Sequence, residues 1–456
     1  MKTLGIISAS KCNLKCEYCY LHKNKSYINE DKKTLQAMLD GSFIKNVKRT
    51  LKKLSIDRED FGKLELWGGE TTLHFSSSTV NFFKEIFDYF TNIRIFSFSS
   101  NFTINSDNYV ELIKELDKKL DRKIQMHIQI SMDGPDWILS QTRHIEYSKI
   151  KNNLINFINK FNSIQLKNIE ILITYKATWT WEIYKEVNKN IDSIKQYLTF
   201  CKQEENDINN IIFNKQVHFS VGGMYGPMLE VPHKYTQQDG IDMAKFLLTH
   251  YSYKRELEEL NLTLENEIIY MPILTLGLDK TLDKDVYYLY KNQCRQMVDE
   301  LLFKWDGSLS ACSNGFLDNN EENLKYLKEN DLEEYKNVLK SKDWLPKYKE
   351  GEVDLDEILK KYRYMSTFWE DYNEFNLTVL VSQILELADC GLISPNYKNN
   401  YNKALRHALM MINGPIVCYF HNLRKTGSPY VTDFDLIKLY CNGFLDLFEE
   451  IYSYGN

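Results

Sequence analysis

Six short apolar segments in the first half of the chain alternate with stretches in which apolar residues recur at helical spacing. Such alternation is typical of an α/β fold with a parallel sheet. Six strands over roughly 230 residues favour a partial, six-fold (β/α) barrel over the complete barrel of about 250 residues. The predicted strands are Leu4–Ala9, Lys63–Trp67, Ile93–Ser99, Ile124–Ser131, Ile169–Tyr175 and Val217–Val221. The predicted helices between them include Lys33–Leu54, Thr79–Phe87 and Tyr109–Leu116.

The pattern changes after about residue 235. We predict a partial barrel over residues 1–235, a helical connector over 236–290, a hairpin-containing region over 291–365 and a helical region over 366–456. The dipeptide Asp306-Gly307 between strand-like flanks predicts a tight hairpin turn. Further helices are predicted at Gly240–Tyr251, Thr367–Ala388, Asn402–His421 and Asp433–Tyr454.

Three cysteines, Cys12, Cys16 and Cys19, follow the first predicted strand within eight residues. Thiolates are the usual protein ligands of iron–sulfur clusters. The loop has no obvious fourth cysteine nearby, so one iron of a four-iron cluster would be open to a non-protein ligand, as in catalytic metal sites. The alternative is a zinc knuckle or a set of structural cysteines.

Composition and charge limit the class of protein. The chain has 456 residues, a formal net charge of −6 and nine cysteines. An acidic chain without a clustered basic surface argues against a nucleic-acid partner. It has no apolar run of membrane-spanning length and no signal peptide, which predicts a cytoplasmic protein without a membrane partner. In that compartment cysteines are metal ligands or reduced thiols.

The spacing C-x3-C-x2-C, with the aromatic Tyr18 before the third cysteine, resembles the radical S-adenosylmethionine (SAM) superfamily. The resemblance implies that Cys12, Cys16 and Cys19 hold a [4Fe-4S] cluster. It also implies that the open iron chelates the amino and carboxylate groups of SAM, with Tyr18 near the adenine. The implied activity is reductive cleavage of SAM to a 5′-deoxyadenosyl radical, which abstracts a hydrogen atom from the substrate.

A glycine-rich segment follows the second predicted strand. Trp67-Gly-Gly-Glu70 resembles the family's Gly-Gly-Glu motif, although Thr71 stands where proline is usual. The resemblance implies that Gly68, Gly69 and Glu70 bind the SAM amino group. By itself, such a segment is an ordinary turn with a surface glutamate.

Two further polar segments follow the third and fourth strands. Ser99-Ser100-Asn101 resembles the family's Thr-Asn-Gly, with Phe102 in place of glycine; the alternative is a polar strand end. Ser131-Met-Asp-Gly-Pro135, with Arg143 downstream, resembles the SPASM-type radical SAM enzymes. The resemblance places Ser99, Asn101, Ser131, Asp133 and Arg143 at the SAM site, with Ser131 on the ribose or carboxylate. The Arg143 guanidinium offers a planar fork of donors for the SAM carboxylate.

Cys294 and Cys312 frame the predicted hairpin in the pattern C-x12-G-x4-C, which resembles the start of a SPASM or "twitch" domain. There the cysteines ligate an auxiliary iron–sulfur cluster. No closely spaced cysteines follow, so one auxiliary cluster and a degenerate, cluster-free region both stay open. Cys201, Cys390, Cys418 and Cys441 are predicted core residues, and His127 is predicted to be a hydrogen-bonded core histidine.

SPASM-type relatives mostly modify peptides or proteins, so the resemblance implies a maturase of a ribosomally made peptide. The implied partners are the peptide and an electron donor such as flavodoxin or ferredoxin. Because the cluster motif starts at residue 12, either a separate leader-peptide recognition protein or the helical C-terminus would have to capture the peptide. One alternative is an anaerobic sulfatase-maturing type, against which Ser313 counts, since an aspartate commonly follows this cysteine there. Another is a non-catalytic iron–sulfur protein that binds SAM. The sequence identifies no catalytic acid or base.

Overall fold

The computed structural model describes residues 2–19, 27–187, 189–221, 225–227, 299–310, 377–411 and 434–446, with a few isolated residues between them. Cys294, Cys312, Ser313 and Cys418 lie outside the described residues, as does most of the predicted helix Gly240–Tyr251. Among the described helices, none combines the length and the apolar character needed to span a bilayer.

The centre of the fold is an eight-stranded, mostly parallel sheet. Its strands follow the order β10-β9-β1-β2-β3-β4-β5-β7, and only the β9–β10 pair is antiparallel. These strands are β1 Lys2–Ala9, β2 Phe61–Gly68, β3 Ile95–Ser100, β4 Ile124–Ser131, β5 Ile169–Lys176, β7 Val217–Val221, β9 Glu300–Phe303 and β10 Leu309–Ser310. There are two further sheets of two strands each among the described residues. One pairs β6 Thr178–Trp179 with β8 Tyr225–Pro227, and the other pairs β11 Tyr348–Lys349 with β12 Glu352–Val353.

Helices connect the parallel strands. They are α1 Tyr27–Leu39, α2 Ser42–Leu54, α3 Val80–Tyr89, α4 Asp107–Lys119, α5 Asp136–Thr142, α6 Tyr147–Asn162, α7 Trp181–Val187 and α8 Ile191–Ile211, with α9 Tyr401–Met411 and α10 Phe434–Cys441 near the C-terminus. Residues 377–389 are also helical.

The structure confirms the α/β class and all six predicted strands, two of them with the predicted bounds. The predicted single helix Lys33–Leu54 is wrong. It is two helices, because Gly41 adopts the left-handed conformation (φ 76°) between them, which ends a helix without the steric cost a side chain would bring. The four region boundaries and the partial-barrel shape stay predictions.

The sheet has two different faces. Along β4, fully buried apolar residues alternate with half-buried polar ones, because successive side chains of a strand point to opposite faces. The buried face packs under the helices in a core rich in phenylalanine, with edge-to-face pairs such as Phe75 and Phe98, whose ring centroids lie 5.0 Å apart. The other face, here named the polar face, carries Gln125, His127, Gln129 and Ser131 from β4.

The predicted hairpin at Asp306-Gly307 is confirmed, and it joins the sheet beside β1, which the sequence did not predict. The turn docks on α2. Thr50 Oγ1 donates to the Gly307 carbonyl at 2.7 Å. A Cβ on Gly307 would lie 2.7 Å from backbone atoms of Asn46. Glycine is therefore required there for close packing as well as for the turn (φ 80°).

A second apolar core contains residues of β6, α7, α8 and the described C-terminal segments, including Trp179, Tyr397 and Tyr440. Cys201 and Cys441 belong to it, which confirms their prediction as core residues. The prediction for Cys390 is wrong: this thiol is exposed, because it stands in the turn after the helix of residues 377–389.

Candidate functional site

The cysteine loop begins at the C-terminal end of β1, where a buried histidine–aspartate pair fixes it. The Oδ1 atom of Asp31, in α1, accepts hydrogen bonds from the amides of Ser10 (2.9 Å) and Lys11 (3.1 Å). Its Oδ2 atom lies 3.0 Å from His74 Nε2, and His74 Nδ1 lies 2.8 Å from the Ser8 carbonyl oxygen. Burial opposes ionisation of Asp31, yet the hydrogen bonds hold its pKa below the ordinary value. The sequence interpretation missed this pair, since nothing in the motif spacing marks it.

The segment Gly68–Glu70 packs directly against the cysteine loop. The Gly69 amide donates to the Ala9 carbonyl and the Glu70 amide to the Lys11 carbonyl, both at 2.8 Å. A Cβ on Gly68 would lie 1.9 Å from the Ala9 oxygen, and one on Gly69 would lie 2.2 Å from the Lys11 oxygen. The absence of side chains at Gly68 and Gly69 therefore leaves room for the backbone of Ala9 and Lys11. The predicted contact of these glycines with SAM stays a prediction.

We expect Gly69→Ala to displace the cysteine loop, because the new methyl group collides with backbone rather than with a flexible side chain. Such overpacking costs about 1–3 kcal/mol of unfolding free energy, and the variant should take up less iron on reconstitution. Gly41→Ala is the control: its Cβ meets no atom closer than 3.8 Å, although alanine would be strained by the left-handed backbone there, a strain that Gly69→Ala does not have. Equal iron content in both variants would contradict this role of Gly69.

Glu70 is buried, with 2% of its surface exposed. Its Oε2 atom accepts from the Asn101 amide at 2.7 Å, and its Oε1 atom accepts from the amide and hydroxyl of Thr72. Tyr109 OH lies 2.8 Å from Thr72 Oγ1 and so closes the network. Burial raises the pKa of Glu70 despite these donors. Glu70 thus links the ends of β2 and β3, and its predicted contact with the SAM amino group stays a prediction.

The raised pKa of Glu70 makes a testable contribution to stability. A carboxyl whose pKa is higher in the folded state disfavours folding once it is ionised. Above pH 4.5, the ordinary pKa of a glutamate, the wild type should therefore lose stability that Glu70→Gln keeps. The difference in free energy of unfolding, variant minus wild type, should increase as the pH rises. Urea unfolding of both proteins at several pH values measures the difference, and a difference independent of pH would contradict the expectation.

Asp133, predicted as a cofactor contact, is fully buried and accepts five hydrogen bonds. Its Oδ2 atom accepts from Arg143 Nε (2.7 Å), Thr142 Oγ1 (2.8 Å) and Tyr18 OH (2.9 Å). Its Oδ1 atom accepts from Arg143 Nη2 (3.0 Å) and the Thr178 amide (2.9 Å). The carboxylate thereby connects the cysteine loop, the end of α5 and the segment after β5.

Asp133 also occupies the fork of Arg143. The guanidinium is buried, gives Nε and Nη2 to Asp133, and lies 5.4 Å from the centroid of the Tyr18 ring. Its Nη1 atom points to Cys16 Sγ at 3.8 Å. Binding of the SAM carboxylate by Arg143 and packing of the adenine near Tyr18 stay predictions. In the structure both side chains belong to the network around Asp133.

Asn101 contacts the first cysteine from the end of β3. Its Nδ2 atom lies 2.7 Å from Asn13 Oδ1 and 3.8 Å from Cys12 Sγ. The next residue, Phe102, has φ 54° and a fully buried ring. It occupies the motif position where the family has glycine, and it adopts the left-handed conformation that glycine favours.

The environment of the thiols fits an iron–sulfur cluster. Cys12 Sγ receives the Leu14 amide (3.5 Å) and Asn101 Nδ2, and Cys16 Sγ receives Arg143 Nη1; N–H donors to sulfur are among the features that tune such clusters. Burial raises the pKa of the Cys12 and Cys16 thiols to about 11, so binding of iron would release their protons. Among the described residues no three His, Cys, Asp or Glu side chains are placed to share one ion. A cluster does not require that geometry, because each cysteine ligates a separate iron.

Trp67 is a further site residue that the sequence interpretation did not select. Trp67 is the last half-buried side chain of β2 on the polar face, and like Cys12 and Cys19 it packs against Ile7 and Leu302. Its indole Nε1–H is buried and has no acceptor in the part of the chain that is described. A buried donor without an acceptor is costly, so this N–H fits a bound group with acceptor atoms beside the cysteines.

Polar side chains continue along the polar face from this site. Gln129 Oε1 accepts from Ser99 Oγ (3.2 Å) and Lys176 Nζ (3.4 Å), which joins β3, β4 and β5. Ser131 is half-buried and paired in register with Lys176. His127 is hydrogen-bonded to Gln125 (2.8 Å), as predicted, but the prediction of a core location is wrong: it lies half-buried on the polar face. The polar alternation in the β4 sequence is the signal that marks this face.

No protein-family model matches the sequence, and no curated protein matches it. Two similar solved structures are each 17% identical to this chain. The structure of native anSMEcpe with bound AdoMet and Cp18Cys peptide covers 81% of this chain and 97% of its own, with a TM-score of 0.38. A polyhistidine-tagged form of anSMEcpe with bound AdoMet covers 89% and 97%, with a TM-score of 0.39. At these TM-scores the functional assignment has to come from the site itself.

Proposed function

We propose that this protein is a radical SAM enzyme of the SPASM or twitch type that modifies a peptide. The observation that carries the proposal is the packing of the three-cysteine loop on Gly68–Glu70, at the C-terminal ends of the parallel strands. In β/α folds this edge is where ligands bind. N–H donors reach the sulfurs of Cys12 and Cys16 there.

Cys12, Cys16 and Cys19 would hold a [4Fe-4S] cluster, and Trp67 with the ends of β3 and β4 would face SAM. When bound, the two cofactors supply one-electron cleavage of SAM and hydrogen abstraction from the substrate. The chain's own contribution is to hold the loop through Asp31 and Glu70 and to bury the Cys16 thiol.

The test is an anaerobic assay. Reconstituted protein, reduced with dithionite and incubated with SAM, should form 5′-deoxyadenosine. A protein that holds a cluster and binds SAM without forming this product would be the non-catalytic alternative.

We further propose that the substrate is a peptide and that it lies on the polar face. The support is the row of hydrogen-bonding side chains at Ser99, Gln129 and Lys176, which runs across β3, β4 and β5. Hydroxyl, amide and ammonium side chains offer donors and acceptors that match the amide groups of a peptide. Uniformly deuterated candidate peptides should transfer deuterium to 5′-deoxyadenosine if one of them is the substrate.

Two peptide-modifying activities stay open, a maturase of a ribosomally made peptide and a sulfatase-maturing type. Ser313 favours the first. A short precursor gene next to this one would support it, and deuterium transfer from a sulfatase-derived peptide alone would support the second. Cytoplasmic location, a flavodoxin or ferredoxin donor and a leader-peptide recognition protein belong to the same proposal. One auxiliary cluster at Cys294 and Cys312 and a degenerate, cluster-free region both stay open.

A further inference from the structure

Asp133 lies beside the cysteine loop, and its carboxylate accepts five hydrogen bonds. The five donor atoms belong to four residues in three parts of the chain: Tyr18 in the cysteine loop, Thr142 and Arg143 at the end of α5, and Thr178 after β5. Two of the donors are the fork atoms Nε and Nη2 of Arg143, which places the guanidinium in one orientation. The one remaining terminal nitrogen, Nη1, is then directed at Cys16 Sγ.

The surroundings of Arg143 restrict the orientation of its guanidinium. It is buried, its amide donates to the Leu139 carbonyl, and the Tyr18 ring covers one side of the guanidinium. The Cys16 thiol is also buried. A positive charge at 3.8 Å from sulfur acts strongly in such surroundings, because little water screens it.

We propose that Asp133 is a positioning residue that holds the Arg143 guanidinium against Cys16, so that this charge sets the reduction potential of the cluster. The proposal rests on the proposed function, since it requires that Cys16 ligate a cluster. It assigns Arg143 to the cluster rather than to the SAM carboxylate. Reduction adds negative charge to the cluster, so a nearby cation favours the reduced form and raises the potential.

The test is a potentiometric titration of the reconstituted cluster without SAM, followed by electron paramagnetic resonance. Arg143→Gln should shift the midpoint potential downwards. Arg143→Lys should shift it in the same direction by less, because the ammonium keeps a charge but cannot serve Asp133 and Cys16 at once. Thr142→Val removes a different donor to Asp133 and leaves the fork, so its potential should equal that of the wild type.

The role of Asp133 is tested by a double-mutant cycle with Asp133→Asn and Arg143→Gln. Loss of the carboxylate charge alone raises the potential in either background. If Asp133 also positions Arg143, then Asp133→Asn in the presence of Arg143 additionally moves the guanidinium away from Cys16, which lowers the potential. Asp133→Asn should therefore raise the potential less, or lower it, when Arg143 is present, and the shifts of the two single variants should not be additive. Additive shifts would overturn the positioning role.

Unchanged potentials in both Arg143 variants, with weaker SAM binding, would overturn the proposal and make Arg143 a SAM ligand. A wild-type protein without a cluster would instead overturn the proposed function itself. The two failures are therefore distinguishable in one set of samples.

Discussion

The variant in which Cys12, Cys16 and Cys19 are all replaced by alanine should form no 5′-deoxyadenosine and lose the cluster of the loop. The three thiols lie on a loop that the structure anchors at both Asp31 and Glu70. Of the three other cysteines that the structure describes, Cys201 and Cys441 are buried in the second core and Cys390 is exposed. We therefore expect loss of all SAM cleavage, measured by chromatography of the reaction products.

The matched control is the replacement of Cys201 and Cys441 by alanine, which removes two thiols from the core and none from the loop. This variant should keep its iron and its activity per folded protein. SAM cleavage by the triple variant would contradict the central proposal. The iron content of the triple variant also tests the auxiliary site: a remaining iron–sulfur spectrum would support a second cluster at Cys294 and Cys312, and colourless protein would support a degenerate region.

The sequence predicted the parts of the fold that are determined by local pattern. The strands β4 and β7 have the predicted bounds because apolar residues and turn signals mark both of their ends. The break at Gly41 was missed because apolar spacing continues through it, whereas the left-handed backbone of one residue decides the geometry. Pairing of β9 with β1 joins residues almost three hundred positions apart, and no local pattern contains that information.

In the candidate site, too, local sequence pattern predicted some features and not others. The motif residues do meet at the ends of the strands, as their order in the chain predicted, because parallel strands bring their C-terminal ends to one edge. The partners that hold them could not be predicted in this way. Asp31 and His74 lie outside every motif, and the bonds between Asp133 and Arg143 depend on the path of α5. Motif spacing thus indicates which residues converge, and the structure shows that several of them bind one another.

The pair formed by Asp133 and Arg143 also leads to the largest expected change in stability. Replacement of Asp133 by leucine would leave a buried guanidinium without its carboxylate and remove acceptors from Tyr18, Thr142 and Thr178. Loss of one partner of a buried ion pair costs about 3–5 kcal/mol. We expect a decrease of that size in the free energy of unfolding of the metal-free protein, measured by urea unfolding with circular dichroism.

Two variants separate the charge from the hydrogen bonds. Tyr18→Phe removes one donor to Asp133 and leaves the pair intact, so it should cost only about 1 kcal/mol. The double variant Asp133→Leu with Arg143→Leu removes both charges, and exchange of a buried ion pair for apolar side chains is often neutral or stabilising. It should therefore be more stable than Asp133→Leu alone, even though it contains one more substitution. A double variant less stable than the single one would show that the hydrogen bonds of Arg143, rather than compensation of its buried charge, give the pair its stabilising effect.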